Sequence, residues 1–382
     1  YKSWLASTLG ERNPYRSDFF LSICQAIAII EAAQLGDPQV IMAVDQEFGD
    51  VLAKTCRNNK IEVYWYNPAN RKSKIKELKR AKALLSGLKY SINQIRSGKK
   101  WRQNRQVSVE AIYLLSWAGS DSFPNDTPKN QDANFGGLPQ WIRELGKIPH
   151  WITNPLSWIN PLPSIIANTS MAYDVVFPLP ALITYKDVVA ALWGWLVFPF
   201  AITSRLEIDG HDMSPLLRHF VLEEIYSPQI IQALLFGNVA ANMQKRKAVP
   251  KTLVYVYENQ PWERILLLSF RRDLPNTKLI GVQHAPFSDQ YLSVFPSKRQ
   301  WQDGTTPDIL LTIGNEFLNQ LISKGAPPDR VAIGGSLRMP HLANTTKYAP
   351  KSSSNQIKRI LVSCPMEKTE AIELSTKAIC AT

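Results

Sequence analysis

The sequence is short of the signatures that carry the commonest enzyme chemistries. It has no GxGxxG, no GxxxxGK[ST], no HExxH and no GxSxG. Their absence argues against a dinucleotide oxidoreductase, a P-loop NTPase, a zinc protease and an α/β-hydrolase. Cysteine is scarce: Cys24, Cys56, Cys364 and Cys380 form no CxxC pair, and no histidine clusters with them. That excludes a zinc-ribbon framework and a disulfide scaffold, and fits a reducing compartment, the cytoplasm. Long apolar runs are also missing. The longest, Val188 to Ile202, is 15 residues and contains Pro199, whereas a membrane-spanning helix needs roughly 20. It reads first as a buried helix and second as an interfacial one. No leader peptide is recognisable at the start.

What is present is a chain of 382 residues, 45% hydrophobic and 20% charged, with 26 prolines. That is enough apolar material for a core, and too much chain for one domain of typical length. The net charge of +12 is concentrated. Between Arg71 and Arg105 stand 13 Lys or Arg and a single acid, Glu77, and outside that stretch the two signs balance. A basic chain raises nucleic acid as a partner. Here the basicity is local and carries few aromatics, only Tyr90 and Trp101, so no nucleic-acid partner is expected. Leu78, Ala81, Leu85, Leu88, Ile92 and Ile95 recur at spacings of three and four, which predicts an amphipathic helix. Two roles fit it: docking on an anionic membrane surface, or packing on the domain with its lysines in water.

Along the chain, Phe19 to Leu35 has helical spacing and stops at Gly36-Asp37-Pro38. Val40 to Val44 and Ile61 to Tyr66 read as strands. Ala111 to Ser116 and Ile148 to Thr153 read as strands around a helix over Leu138 to Leu145. From about 155 to 250 prolines break the pattern, and helices are expected over 186–198 and 214–244. The region 252–338 alternates strand and helix throughout. The fold class expected is α/β: a Rossmann-like, doubly wound parallel sheet over 1–340, with a helical insertion at about 155–250. Residues 341–357 read as a linker and 358–382 as the start of a further domain, so the chain is expected to be a piece of a longer one.

Ligands of open α/β sheets bind beyond the carboxyl ends of the strands. Glu258, His284, Gly314 and Gly334 fall at such ends. Glu258 is placed to act as a general base or to bind a hydroxyl. Glu263, in a helix's first turn beside Pro261, suits either a dipole-capping role or a ligand contact. Gln283 and His284 put two hydrogen-bonding side chains at the edge, and imidazole exchanges protons near neutrality. Gly334 and Gly335 allow a tight turn or close approach of a ligand, and Arg338 suits an anion. For His284 and Arg338 a purely structural role is the competing reading.

The strings Glu258-Asn259-Gln260-Pro261-Trp262-Glu263-Arg264, Gly281-Val282-Gln283-His284, Pro307-Asp308-Ile309-Leu310, Gly314 and Gly334-Gly335-Ser336-Leu337-Arg338 together resemble a family of bacterial surface-carbohydrate biosynthesis proteins. These are GT-B-like glycosyltransferases of O-antigen and capsule loci. Trp4, Glu11-Arg12, Phe19-Phe20, Asp45 and Phe135-Gly136-Gly137-Leu138-Pro139 are similar as well, so the resemblance runs nearly the length of the chain. It implies a metal-independent transferase with no cofactor, a nucleotide-sugar donor held mainly by a C-terminal domain, and a glycan or lipid-linked acceptor. The place of these residues at strand ends assigns catalytic roles to Glu258 and His284, and substrate binding to Gln283, Arg338, Gly334, Gly335, Glu263 and Gly314. The expected location is cytoplasmic, peripheral on the inner membrane. The alternatives are a sugar-nucleotide epimerase of the same fold and a non-catalytic glycan- or membrane-binding component.

Overall fold

The computed structural model describes residues 2–12, 17–36, 46–61, 75–102, 107–108, 111–119, 122–123, 132–157, 159–201, 205–287, 291–338 and 372–377. Tyr1–Arg338 forms one compact unit and Met339–Thr382 a second, in which 372–377 are helical. The strand expected at Val40 to Val44, residues 62–66 of the strand expected at Ile61 to Tyr66, the linker and the strand expected after it lie outside the described residues. Ile61 itself closes the turn after the helix Gln46–Asn58, its N–H donating to the Cys56 carbonyl.

The first unit opens with helices α1 (Lys2–Leu5), α2 (Thr8–Glu11), α3 (Phe19–Gln34), α4 (Gln46–Asn58) and α5 (Ile75–Gly98). Then come β1 (Ile112–Ala118), α6 (Leu138–Glu144), β2 (Pro149–Pro155), α7 (Leu162–Met171) and β3 (Val175–Pro178). A helical stretch follows: α8 (Tyr185–Ala201), a small hairpin of β4 (Glu207–Ile208) and β5 (His211–Asp212), then α9 (Ser214–Glu224), α10 (Gln229–Leu234) and α11 (Val239–Lys245). The last part runs β6 (Thr252–Val256), α12 (Pro261–Asp273), β7 (Lys278–Val282), α13 (Lys298–Gln302), β8 (Ile309–Thr312), α14 (Asn315–Ser323) and β9 (Val331–Ile333).

Seven strands make one parallel sheet in the order β3-β2-β1-β6-β7-β8-β9. The chain therefore winds outward from β1 to β3, returns through the helical stretch, and winds outward the other way from β6. Such a reversal leaves a crevice at the carboxyl edge between the two central strands, here β1 and β6. Those strands are nearly continuous apolar runs, Ile112-Tyr-Leu-Leu and Thr252-Leu-Val-Tyr-Val, because helices cover both faces. The class is thus α/β and Rossmann-like.

Three details differ from the sequence reading. β3 is a strand where only prolines were evident, at the sheet's edge, where a terminal Pro178 costs no ladder hydrogen bond. The helix expected over 214–244 is three helices and a 3-10 turn, broken at Tyr226-Ser227-Pro228 because Pro228 lacks an N–H. The Val188 to Ile202 helix is buried on one face only. Val188, Ala191, Trp195 and Phe198 are in the core, while Val189, Trp193 and Phe200 are exposed.

The basic helix α5 forms as expected, but it docks through small residues. Its buried face is Ala83, Gly87, Ser91, Ile95 and Gly98, while Ala81 and Leu85 face solvent. A Cβ on Gly87 would lie 2.6 Å from Ile231 Cδ1 of α10, and one on Gly98 would lie 2.0 Å from the Pro180 carbonyl oxygen. Close backbone approach at the two glycines therefore sets the register of this helix, with Leu84, Leu88 and Ile95 packed on the core beside them.

Candidate functional site

Glu258 stands two residues past the end of β6, at the switch point. The chain there is held from below. Asn259 takes the left-handed conformation, φ 54°, and its side chain donates to the Ser293 carbonyl at 2.6 Å. Glu263, on the first turn of α12, reaches back, and its Oε2 accepts from the Glu258 and Asn259 N–H groups at 3.1 and 2.9 Å. Arg264, with no exposed surface, donates through Nε and Nη2 to the Asn259 carbonyl at 3.0 and 2.9 Å. Its Nη1 donates to the Gly10 carbonyl at the end of the N-terminal helices. Burial lowers its pKa to about 10, and buried Glu11 opposes that shift.

Above this base Glu258 is partly open, its side chain 19% exposed. Its Oε1 lies 3.3 Å from His284 Nε2, and its Oε2 accepts from the Gln260 side-chain amide. Gln260 Oε1 in turn accepts from Trp262 Nε1 at 2.7 Å. Trp262 meets Trp117, on β1 across the switch point, edge to face at 5.4 Å. The carboxylate is thus linked through Gln260 to a pair of half-buried indoles.

Burial, and then the positive charge of Arg338, lower the His284 pKa to about 4. The nearby carboxylate pulls the other way, and a ring at 3.3 Å from it would ordinarily be protonated. Desolvation prevails here, so the ring is neutral at pH 7. The contact with Glu258 is then one between a neutral ring and a carboxylate at 3.3 Å, not an ion pair of two charges. Among the described residues no hydrogen-bond partner stands at the buried His284 Nδ1. The linkage has a definite sign. An imidazole kept neutral in the fold adds stability above the ordinary histidine pKa of about 6.5, and that stability is lost as the pH falls toward 4.

At the carboxyl edge the structure places His284 3.3 Å from Glu258 and within electrostatic reach of Arg338. Gly334 and Gly335 close β9 at the same edge. Both N–H groups donate to the Thr312 carbonyl, and Gly335 has φ 75°. Gly334 is tight against Leu311, where a Cβ would come within 2.8 Å, so its lack of a side chain serves packing. Gly314, extended and half-buried, precedes α14, and its carbonyl accepts from the Thr312 hydroxyl.

Two residues expected to bind substrate are placed otherwise. Gln283 is 2% exposed, its Nε2 donating to the Ala285 carbonyl and its Oε1 accepting from the Ile313 N–H, both at 2.9 Å. It staples the end of β7 to the end of β8 and so fixes where His284 stands. Glu263 is also 2% exposed, and burial followed by the charge of Glu258 pushes its carboxyl well above the usual carboxylate range. Its work is on the backbone, as a cap. Gln260 and Trp117 were not singled out by the sequence. Gln260 sits inside the quoted string as an ordinary N-cap position, and Trp117 belongs to a strand whose neighbour only the sheet order reveals.

Among the described residues no group of three or more His, Cys, Asp or Glu is placed to hold a metal ion. A cavity of about 220 Å³ lies elsewhere, between α4 and the start of α9, lined by Lys54, Asn58, Arg205, Asp212, Ser214 and Arg218. Its acid is spent on Asn58 and on the Ser214 N–H, and it contains none of the strand-end residues. Comparison with family models, curated proteins and solved structures finds no match to this chain.

Proposed function

We propose that this chain carries the acceptor-side domain of a GT-B-like glycosyltransferase, which moves a sugar from a nucleotide-activated donor to a growing surface polysaccharide or lipid-linked glycan. One observation carries the reading: at the topological switch point a partly exposed carboxylate, Glu258, is oriented by a neutral imidazole and by Gln260. Sugar transfer needs such a group. The acceptor hydroxyl attacks the anomeric carbon, the bond from that carbon to the donor phosphate breaks, and the hydroxyl proton passes to a base. Glu258 takes that proton. His284 holds the carboxylate in position through its N–H without adding a positive charge that would weaken the base. Arg338 attracts the donor's diphosphate, whose negative charge grows as the nucleotide leaves. Trp117 and Trp262 present aromatic surface beside the carboxylate, suited to the apolar face of a sugar ring.

In this reading the donor rests mainly on residues of a further domain, no metal or cofactor takes part, and the enzyme works in the cytoplasm at the inner membrane, where lipid-linked acceptors are assembled. The test is to incubate the full-length protein with a panel of nucleotide sugars, with and without lipid-linked acceptors, and to follow nucleotide release and glycan products. Acceptor-dependent release of nucleotide from one donor is expected. Conversion of a donor to its epimer without release points to the epimerase alternative, and no turnover with any donor contradicts both.

A further inference from the structure

Helix α8 has no polar side. Between Asp187 and Arg205 the sequence contains no charged residue. One face of the helix enters the core through Val188, Ala191, Trp195 and Phe198. The opposite face presents Tyr185 (55% exposed), Val189 (68%), Trp193 (65%), Leu196 (43%) and Phe200 (75%), spaced 4-4-3-4 along the helix. A helix at the surface of a water-soluble domain normally turns polar residues outward, and one that is apolar all round is surrounded by protein or lipid. Large contiguous apolar patches on a surface mark an interaction site.

The neighbourhood says what covers this face. Lys99, just past the C-terminal end of α5, stands over the ring of Tyr185 at 4.8 Å, so the basic helix ends where the apolar stripe begins. On α5, Lys82, Lys89 and Arg96 recur every seven residues and share an exposed face with Leu85, and Lys100 is exposed beyond them. No acid occurs from Leu78 to Val109. An apolar stripe with aromatics at both ends and its middle, joined to a basic helix whose one acid is Glu77 in its first turn, matches the two layers of an anionic membrane surface: acyl chains for the stripe, headgroups for the lysines. At 17 residues α8 is about 25 Å long, short of a bilayer's hydrocarbon core of about 30 Å, so it lies in the interface rather than crossing it. Among the described residues no helix is long and apolar enough to cross.

We propose that α8 is an interfacial membrane anchor, its outward face inserted among the lipids and α5 acting as the electrostatic flank. The inference does not rest on the transferase reading, because it concerns a different surface and is tested without turnover. It also reassigns the contact. The basic helix supplies attraction, and the apolar insertion comes from α8.

The experiment is co-sedimentation with vesicles of phosphatidylcholine alone and of phosphatidylcholine with phosphatidylglycerol, at low and high salt. The full chain is compared with Trp193→Glu/Phe200→Glu, and with a variant in which Lys82, Lys89, Arg96, Lys99 and Lys100 are Gln. Both sets alter exposed residues, and unchanged thermal unfolding confirms that the fold is kept. The wild-type chain is expected to prefer anionic vesicles and to bind them less as salt rises. The double Glu variant is expected to partition about tenfold or more weaker to both vesicle types, since two large apolar side chains no longer enter the lipid. The Gln variant should lose the preference for anionic lipid and the salt dependence. Wild-type binding that the double Glu variant retains, or no binding by the wild type, overturns the proposal. So does concentration-dependent self-association of the wild type that the double Glu variant abolishes, which assigns the face to a second copy of the chain.

Discussion

Glu258→Gln is expected to lower acceptor-dependent nucleotide release by the full-length protein about 10²–10⁴-fold, with little change in the apparent affinity for donor. The substitution keeps the shape of the side chain, and the amide oxygen can still accept from His284 Nε2–H. It removes only the group that takes the proton. A residue that merely braced the turn after β6 would behave differently: its loss would lower the unfolding midpoint and leave turnover per folded molecule unchanged. Steady-state kinetics combined with thermal unfolding separate the two. Turnover within a few-fold of wild type contradicts the assignment of Glu258 as base, and leaves the carboxylate as a ligand contact at most.

Arg264→Ala is expected to produce the largest loss of stability among single substitutions near the site, about 3–5 kcal/mol in urea unfolding. The guanidinium is wholly inside the protein. It satisfies the Asn259 carbonyl twice and the Gly10 carbonyl once, and it balances the charge of buried Glu11. Removing it leaves two buried carbonyls short of donors and a buried acid short of its cation, and opens a void the size of a long side chain. This residue ties the N-terminal helices to the turn below Glu258, while Arg12 ties them to the segment around α13, its Nη2 donating to the Phe295 carbonyl and to Gln300. The substitution should therefore also loosen the site. A loss under about 1 kcal/mol contradicts that picture, because it means that solvent reaches Glu11 and the carbonyls directly.

The sheet was legible wherever periodicity and chain direction agreed. Between 252 and 333 every strand and the helices α12 and α14 were evident, because central parallel strands are unbroken apolar runs and α12 begins with Pro261 and an acid and has Arg271-Arg272 in its last turn, whereas the five-residue α13 was not foreseen. β3 was not, since four residues ending in proline carry too little pattern. The break at Pro228 was in the sequence, but apolar spacing on either side masked it. For α5 the spacing of large residues held only in part: Leu88 and Ile95 pack on the core, while Ala81 and Leu85 face solvent. Periodicity weighs hydrophobic size, whereas Gly87 and Gly98 dock by having no side chain at all.

The candidate site divides in the same way. Glu258 and His284 could be placed at strand ends from sequence alone. Which polar side chain at a strand end turns outward and which turns back could not. Gln283 and Glu263 are spent on backbone groups of β8's end and of the turn after β6, partners that are chosen by the tertiary fold. Trp117 enters the site only because β1 lies beside β6, a neighbour relation fixed by the return of the chain through the helical stretch.

The central claim is that a neutral His284 holds Glu258 in a cleft that receives an anionic sugar nucleotide. Imidazole nitrogen NMR tests it most directly, since the chain has only five histidines and His284→Gln identifies the ring. The account predicts an Nε2–H tautomer at pH 7 that titrates near pH 4, and a shift of that resonance when the donor nucleotide sugar is added. A ring that is protonated at pH 6 and does not respond to the donor would contradict it.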